Sequence, residues 1–231
     1  AVERISGPNR YATAAAIAAE YPDGADVVYV ASGANYADAL TARDNGAAEA
    51  GPAPLGGNLW TEGQDGGNAA PVLLVAQNRI PNDTAAALTA LSPERIVVVG
   101  GSGAVSDGVL GDLGAYADDV ERLGGSNRYE TAASIAERWP TGTSVVFLAS
   151  GEDYPDALSG GAVAARANAP ILLTRSDKLP NATAAVLADL APSSVVILGG
   201  TGAVNPAVED AVTAIVPDTR RVGGANRYET A

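Results

Sequence analysis

Three short apolar runs recur in two copies along this chain: Val27-Val28-Tyr29-Val30-Ala31, residues 72–75 and residues 96–99, then residues 145–149, 171–174 and 195–198. They are rich in β-branched residues and continuous rather than alternating, the pattern of strands buried on both faces of a parallel sheet. Between them, residues 13–20, 84–91, 131–138 and 183–190 carry Ala, Ile and Leu at helical spacing. Strand and helix alternate throughout, so each copy predicts a three-layer α/β domain with a mainly parallel sheet.

The copies are literal. Gly124-Gly125-Ser126-Asn127-Arg128-Tyr129-Glu130-Thr131-Ala132 returns as Gly223-Gly224-Ala225-Asn226-Arg227-Tyr228-Glu229-Thr230-Ala231, and appears earlier as Ser6-Gly7-Pro8-Asn9-Arg10-Tyr11-Ala12-Thr13-Ala14. Arg10, Arg128 and Arg227 lie 118 and 99 residues apart. Asp38 matches Asp156 at the longer offset and Pro71 matches Pro170 at the shorter, which places about 19 extra residues between Asp38 and Pro71. The expected organisation is a first repeat over residues 1–121, a second over 122–220, and the start of a third at 221–231. A repeat that stops so early implies a piece of a longer protein, and residues 123–131 read as a rigid joint rather than a linker. The inserted segment, about residues 45–67, holds seven Gly, two Pro and Trp60, and reads as a projecting loop or small hairpin. Trp60 is placed either to pin that loop to its own domain or to stack on a sugar or a neighbouring copy.

Composition narrows the chemistry. With 47% hydrophobic and 18% charged residues, 231 residues suffice for two cored domains, and no apolar run approaches the ~20 residues of a membrane span. Cys and His are both absent, which removes thiol chemistry, disulfides, Cys/His zinc sites and histidine acid–base catalysis. A formal charge of −13 argues against nucleic acid or an anionic membrane as partner. No cofactor is implied.

Several motifs carry two readings. Gly100-Gly101-Ser102-Gly103-Ala104-Val105-Ser106 and Gly199-Gly200-Thr201-Gly202-Ala203-Val204-Asn205 follow a strand and open a helix, where backbone amides can cradle a phosphate. Ser106 and Asn205 stand where a dinucleotide fingerprint has its last Gly, and a tight turn with an N-cap explains the same residues. Ala31-Ser32-Gly33 and Ala149-Ser150-Gly151 end the first strand of each copy and lead to Asp38 and Asp156. Those acids are expected to pair with Arg10 and Arg128 as structural ion pairs, with a ligand contact as the alternative. Asn127 with Glu130 resembles a capping box. Asn82-Asp83-Thr84 and Asn181-Ala182-Thr183 are glycosylation sequons that helix capping accounts for without sugar.

Taken together, Arg-x-x-Gly-x-Asn-Arg-Tyr-x-Thr-Ala from Arg4, the Ala-Ser-Gly strand end, Asp-Ala-Leu, Pro-x-Leu-Leu and Gly-Gly-x-Gly-Ala-Val resemble the cell wall binding repeat 2 family of bacterial and archaeal surface proteins. The resemblance spans both full copies. It implies Toprim-like or flavodoxin-like α/β units and non-covalent attachment of a secreted protein to the cell envelope. In some bacteria an anionic wall polymer serves as the partner. It implies no catalytic activity, and an extracellular, cell-surface location. The candidate ligand-binding residues are then Arg10, Asp38, Trp60, Arg128, Asp156 and Arg227. The other reading is a structural or adhesive surface protein, in an S-layer or filament, whose repeats contact other protein copies.

Overall fold

The structure is a computed structural model, which describes residues 2, 4–34, 70–152, 161, 163, 164 and 166–224. The described chain falls into two units, residues up to 126 and residues from 127 on. The first contains α1 (Arg10–Ala18), β1 (Val27–Ser32), β2 (Val72–Val75), α2 (Asn82–Leu91), β3 (Arg95–Val99), α3 (Asp107–Leu113) and β4 (Asp119–Leu123). The second repeats them as α4 (Arg128–Ala136), β5 (Val145–Ser150), β6 (Ile171–Thr174), α5 (Asn181–Leu190), β7 (Ser194–Leu198), α6 (Pro206–Thr213) and β8 (Thr219–Val222).

Both sheets are parallel throughout, in the orders β2-β1-β3-β4 and β6-β5-β7-β8. Register repeats with order: Tyr29 pairs Val72 and Val97, and its counterpart Phe147 pairs Ile171 and Val196. The insertion therefore leaves the strand framework untouched. Right-handed crossovers put α2 and α3 on one face of the first sheet. There Leu88, Leu91, Val109 and Leu113 join Ala18 of α1 over Val28, Val30, Leu73, Val75, Ile96 and Val98. The alternate residues Tyr29, Ala31, Val97 and Val99 point to the other face and are also buried, so the sheet is covered on both sides. In the second unit the described residues of 161–167 are helical. They lie in the β5–β6 connection, which runs the opposite way across the sheet and so falls on the opposite face. Each fully buried Val, Leu or Ile contributes roughly 1.5–3 kcal/mol. No helix among the described residues is long and apolar enough to cross a membrane.

Two features depart from the sequence pattern. The fourth strands, Asp119–Leu123 and Thr219–Val222, are charged edge strands without an apolar run, and each closes the sheet that precedes a Gly-Gly-x-Asn-Arg-Tyr stretch. Asn82 and Asn181 do not cap their helices: Pro81 and Pro180 occupy the cap positions, with no side-chain cap bond. The sequon threonines have a structural task. Thr84 Oγ donates to the Leu74 carbonyl at 2.6 Å and Thr183 Oγ to that of Leu173 at 2.7 Å, both from fully buried positions.

The edge strands are fastened by glycine and arginine together. Gly100 and Gly199 turn the chain at φ 115° and 105°, a region that L side chains rarely enter. The next residue, Gly101, lies so close to the Gly125 carbonyl that a Cβ would sit 2.2 Å from its oxygen, and a Cβ on Gly124 would sit 2.5 Å from the Gly100 carbonyl carbon. Gly223 repeats this against Gly199 at 2.4 Å. Arg122 then donates to the Gly100 carbonyl at 2.7 Å, and Arg221 to that of Gly199 at 2.9 Å. Their acid partners differ. Arg122 meets Asp107 at the start of α3, whereas Arg221 meets Glu209 one helical turn into α6, because Pro206 replaces the aspartate.

Gly101→Ala is expected to lower unfolding free energy by about 1–3 kcal/mol through backbone overpacking, whereas Gly103→Ala, with nothing within 4 Å of its added Cβ, should stay within about 0.5 kcal/mol. Urea titrations of the two variants give the comparison, and equal midpoints would refute the close-approach account. Glu209→Ala should cost about 1.5–3 kcal/mol, since it strips two charge-assisted bonds from Arg221, whose side chain is 16% exposed. Asp107→Ala should cost under about 1 kcal/mol, because that carboxylate is 81% exposed. Thermal melts that reverse this order would contradict it.

Candidate functional site

In the strand order of each unit the chain direction reverses beside β1 and β5, and open α/β sheets take ligands outside the carboxyl ends of their strands at such a reversal. The Asn-Arg-Tyr and Ser-Gly motifs meet at that rim. Asn9 caps α1, its side-chain oxygen accepting from the amides of Tyr11 at 2.9 Å and Ala12 at 3.0 Å. The cap holds Arg10 and Tyr11 in the first turn, where the Arg10 guanidinium donates to the Gly33 carbonyl and the Tyr11 ring lies on Gly33. A Cβ on Gly33 would be 2.5 Å from that ring. The second unit repeats the contact: Asn127 accepts from Tyr129 and Glu130, Arg128 donates to the Gly151 carbonyl, and the Tyr129 ring lies 2.7 Å from where a Gly151 Cβ would stand. Glu130 accepts from the Asn127 side-chain amide at 2.8 Å. Ser32 and Ser150 are buried, and their hydroxyl oxygens accept from the amides of Ala34 and Glu152 at 3.2 Å.

Of the residues marked by the sequence, Arg10 and Arg128 are therefore rim residues whose guanidinium groups brace a strand-end carbonyl. Asp38, Trp60, Asp156 and Arg227 lie outside the described residues, and with them the two expected ion pairs. Among the described residues Arg10 meets no carboxylate. Arg122 and Arg221 serve the edge-strand fastening, at the carboxyl ends of β3 and β7.

The glycine loops spend several of their backbone donors inside the fold. In the first unit the amide of Gly100 is bonded to Leu123, those of Ala104 and Val105 to Gly101, and that of Ser106 to Gln77. The second unit spends Gly199, Ala203, Val204 and Asn205 in the same way. The Ser106 and Asn205 side chains cap α3 and α6 at Val109 and Val208. These internal bonds leave fewer amides for an anion than a helix start with all its donors free would offer.

The second unit carries an additional cluster. Glu152, just beyond β5, accepts from the Ser176 amide at 3.1 Å and lies 3.9 Å from the Arg175 guanidinium. Arg175 lies over the Tyr129 ring, 5.3 Å from its centroid. Hydrogen bonding from Ser176 holds the Glu152 carboxyl below the usual carboxylate range, with Arg175 and Arg128 adding to the effect. Burial pushes the Tyr129 hydroxyl up, and Glu152 pushes it further. The motifs did not single out Arg175 or Ser176. The available signal was a difference between copies: at the repeat offsets, Glu152 and Arg175 correspond to Ala34 and Ala76.

The comparisons with known proteins agree with this architecture. The model of a family described as cell wall binding domain 2 (CWB2) matches residues 4–55 and 122–209. The N-acetylmuramoyl-L-alanine amidase LytC of Bacillus subtilis is 31% identical over 230 residues, covering 100% of this chain and 42% of the relative. Among solved structures, Cwp6 from Clostridium difficile superposes with a TM-score of 0.82 at 26% identity, over 99% of this chain and 34% of that one. Cwp8 from the same organism gives 0.73 at 27% identity, over 98% and 36%. The chain thus spans less than half the length of each of these relatives. By its repeats, its fold and these matches, the chain belongs to the cell wall binding domain 2 family, as a two-unit cell wall attachment module.

Proposed function

We propose that this module is non-catalytic and holds a secreted protein to the outer face of the cell through an envelope polysaccharide or other anionic wall polymer, bound at the carboxyl rims of the two sheets. The observation that carries the reading is the Asn-Arg-Tyr/Ser-Gly contact, built twice with the same bonds at the place where this fold takes ligands. A hydrolytic role draws no support from the rim. The hydroxyls of Ser32 and Ser150 are buried in local turns, and the chain has no His or Cys to activate a nucleophile. The amidase named in the Bacillus relative belongs to a protein of which this chain covers 42%. Two modest rim contacts on one chain reinforce each other through effective concentration.

A second reading, contact with other protein copies in a surface layer, draws on one asymmetry. Val222 on the edge strand β8 is 39% exposed, whereas its counterpart Leu123 on β4 is 8% exposed. Sedimentation across a range of protein concentrations, without polymer, tests this reading through self-association.

Polymer-mediated attachment should fail on wall sacculi stripped of their acidic polymer. It should also weaken as salt rises from about 0.1 to 1 M, where the screening length falls from ~10 to ~3 Å. The net charge of −13 opposes a polyanion at long range, so short-range rim contacts must supply the attraction. Co-sedimentation of the chain with native and stripped sacculi measures both effects. Equal pelleting with the two would reject a polymer partner.

A further inference from the structure

The two units differ at the rim in one compact respect. In the second, the Ser176 amide donates to the Glu152 carboxylate at 3.1 Å, the Ser176 hydroxyl also stabilises it, and the Arg175 guanidinium forms an ion pair with it at 3.9 Å. Arg175 has a second support, since it lies on the Tyr129 ring, which rests on Gly151. In the first unit the corresponding residues are Ala34, Ala76 and Gln77, so both charges are missing together. The loop that carries them is nevertheless the same. The Ser106 amide donates to the Gln77 carbonyl and the Asn205 amide to that of Ser176, each at 2.8 Å. The fold therefore forms with or without the pair. With side chains 43% and 54% exposed, the pair adds little stability of its own.

We infer that the amide and hydroxyl of Ser176 and the Arg175 guanidinium form a carboxylate-binding cup on the second unit, filled by its own Glu152, and that an acidic sugar of the envelope polymer takes the place of Glu152. A planar guanidinium beside a backbone N–H matches the geometry and charge of a carboxylate. Glu152 stands in for the ligand's acid, and its lowered pKa reflects how well the cup, Ser176 first, stabilises an anion. The 3.9 Å separation and half-exposed side chains leave Arg175 accessible to an exchange of partners. The first unit, with alanines at both positions, lacks the cup. The identity of the polymer rests on the attachment reading above, whereas the cup rests on the geometry.

The test is titration calorimetry of the full chain with oligogalacturonate and with its methyl ester, which keeps the sugar and removes the charge. The acid form should bind at least about tenfold more tightly than the ester. Arg175→Ala should weaken it by about ten- to a hundredfold, the range of one charge-assisted hydrogen bond. Arg175→Lys should restore only part of the loss, because an ammonium lacks the planar fork. Glu152→Gln should tighten binding by removing the resident competitor. Equal affinity for acid and ester, or full affinity in Arg175→Ala, overturns the cup. Absence of acid binding in both the wild type and Glu152→Gln overturns it as well. Sacculus binding separates the two readings: wall binding that survives Arg175→Ala leaves attachment without the cup. A wild-type chain that takes up oligogalacturonate but not sacculi keeps the cup and removes the attachment reading.

Discussion

The close approach of paired glycines at the carboxyl end of each sheet is the constraint on which the rest of a unit depends. Gly100-Gly101 and Gly124-Gly125 pass at distances no side chain tolerates, and Gly199-Gly200 with Gly223-Gly224 repeat the contact. That contact brings β4 and β8 alongside β3 and β7, although these edge strands have little apolar surface with which to hold themselves. An arginine from each edge strand closes the contact by bonding the carbonyl that the glycine turn exposes. A buried carbonyl left without a donor would be costly, so turn and arginine form one unit. The acid that balances the arginine is free to move along the following helix, from Asp107 in one unit to Glu209 in the other, provided it remains within reach.

The same contact shapes what the protein can bind. With several loop amides committed to neighbouring carbonyls, the strand–glycine–helix element keeps a smaller donor array than a helix start whose amides are all free. At the adjoining rim Asn9 and Asn127 set the first helical turn, and the Arg and Tyr beside them seal a strand end. At Gln77 and Ser176 the two units share a backbone bond, each carbonyl accepting from the amide of Ser106 or Asn205, while the side chains beside it differ. Repetition therefore supplies a fixed frame on which each copy carries its own contacts.

How much of this was legible in the sequence follows from which interactions are local. Buried parallel strands announce themselves as continuous β-branched runs, so the three apolar strands of each unit, the alternation with helices and the α/β class were determined by the chain alone. The Asn127 cap was legible for the same reason, since it acts within three residues. Residues that act across space were not. Edge strands such as Asp119–Leu123 are specified by what they dock against rather than by their own hydrophobicity, and Asn82 looked like a cap until Pro81 was seen to hold that place. Only tertiary structure decided that the double glycines serve a close backbone contact, because that contact joins two segments far apart in the chain. It alone brought Arg175 over Tyr129 and beside Glu152, for these residues lie on three segments that meet only once parallel strands have aligned their carboxyl ends.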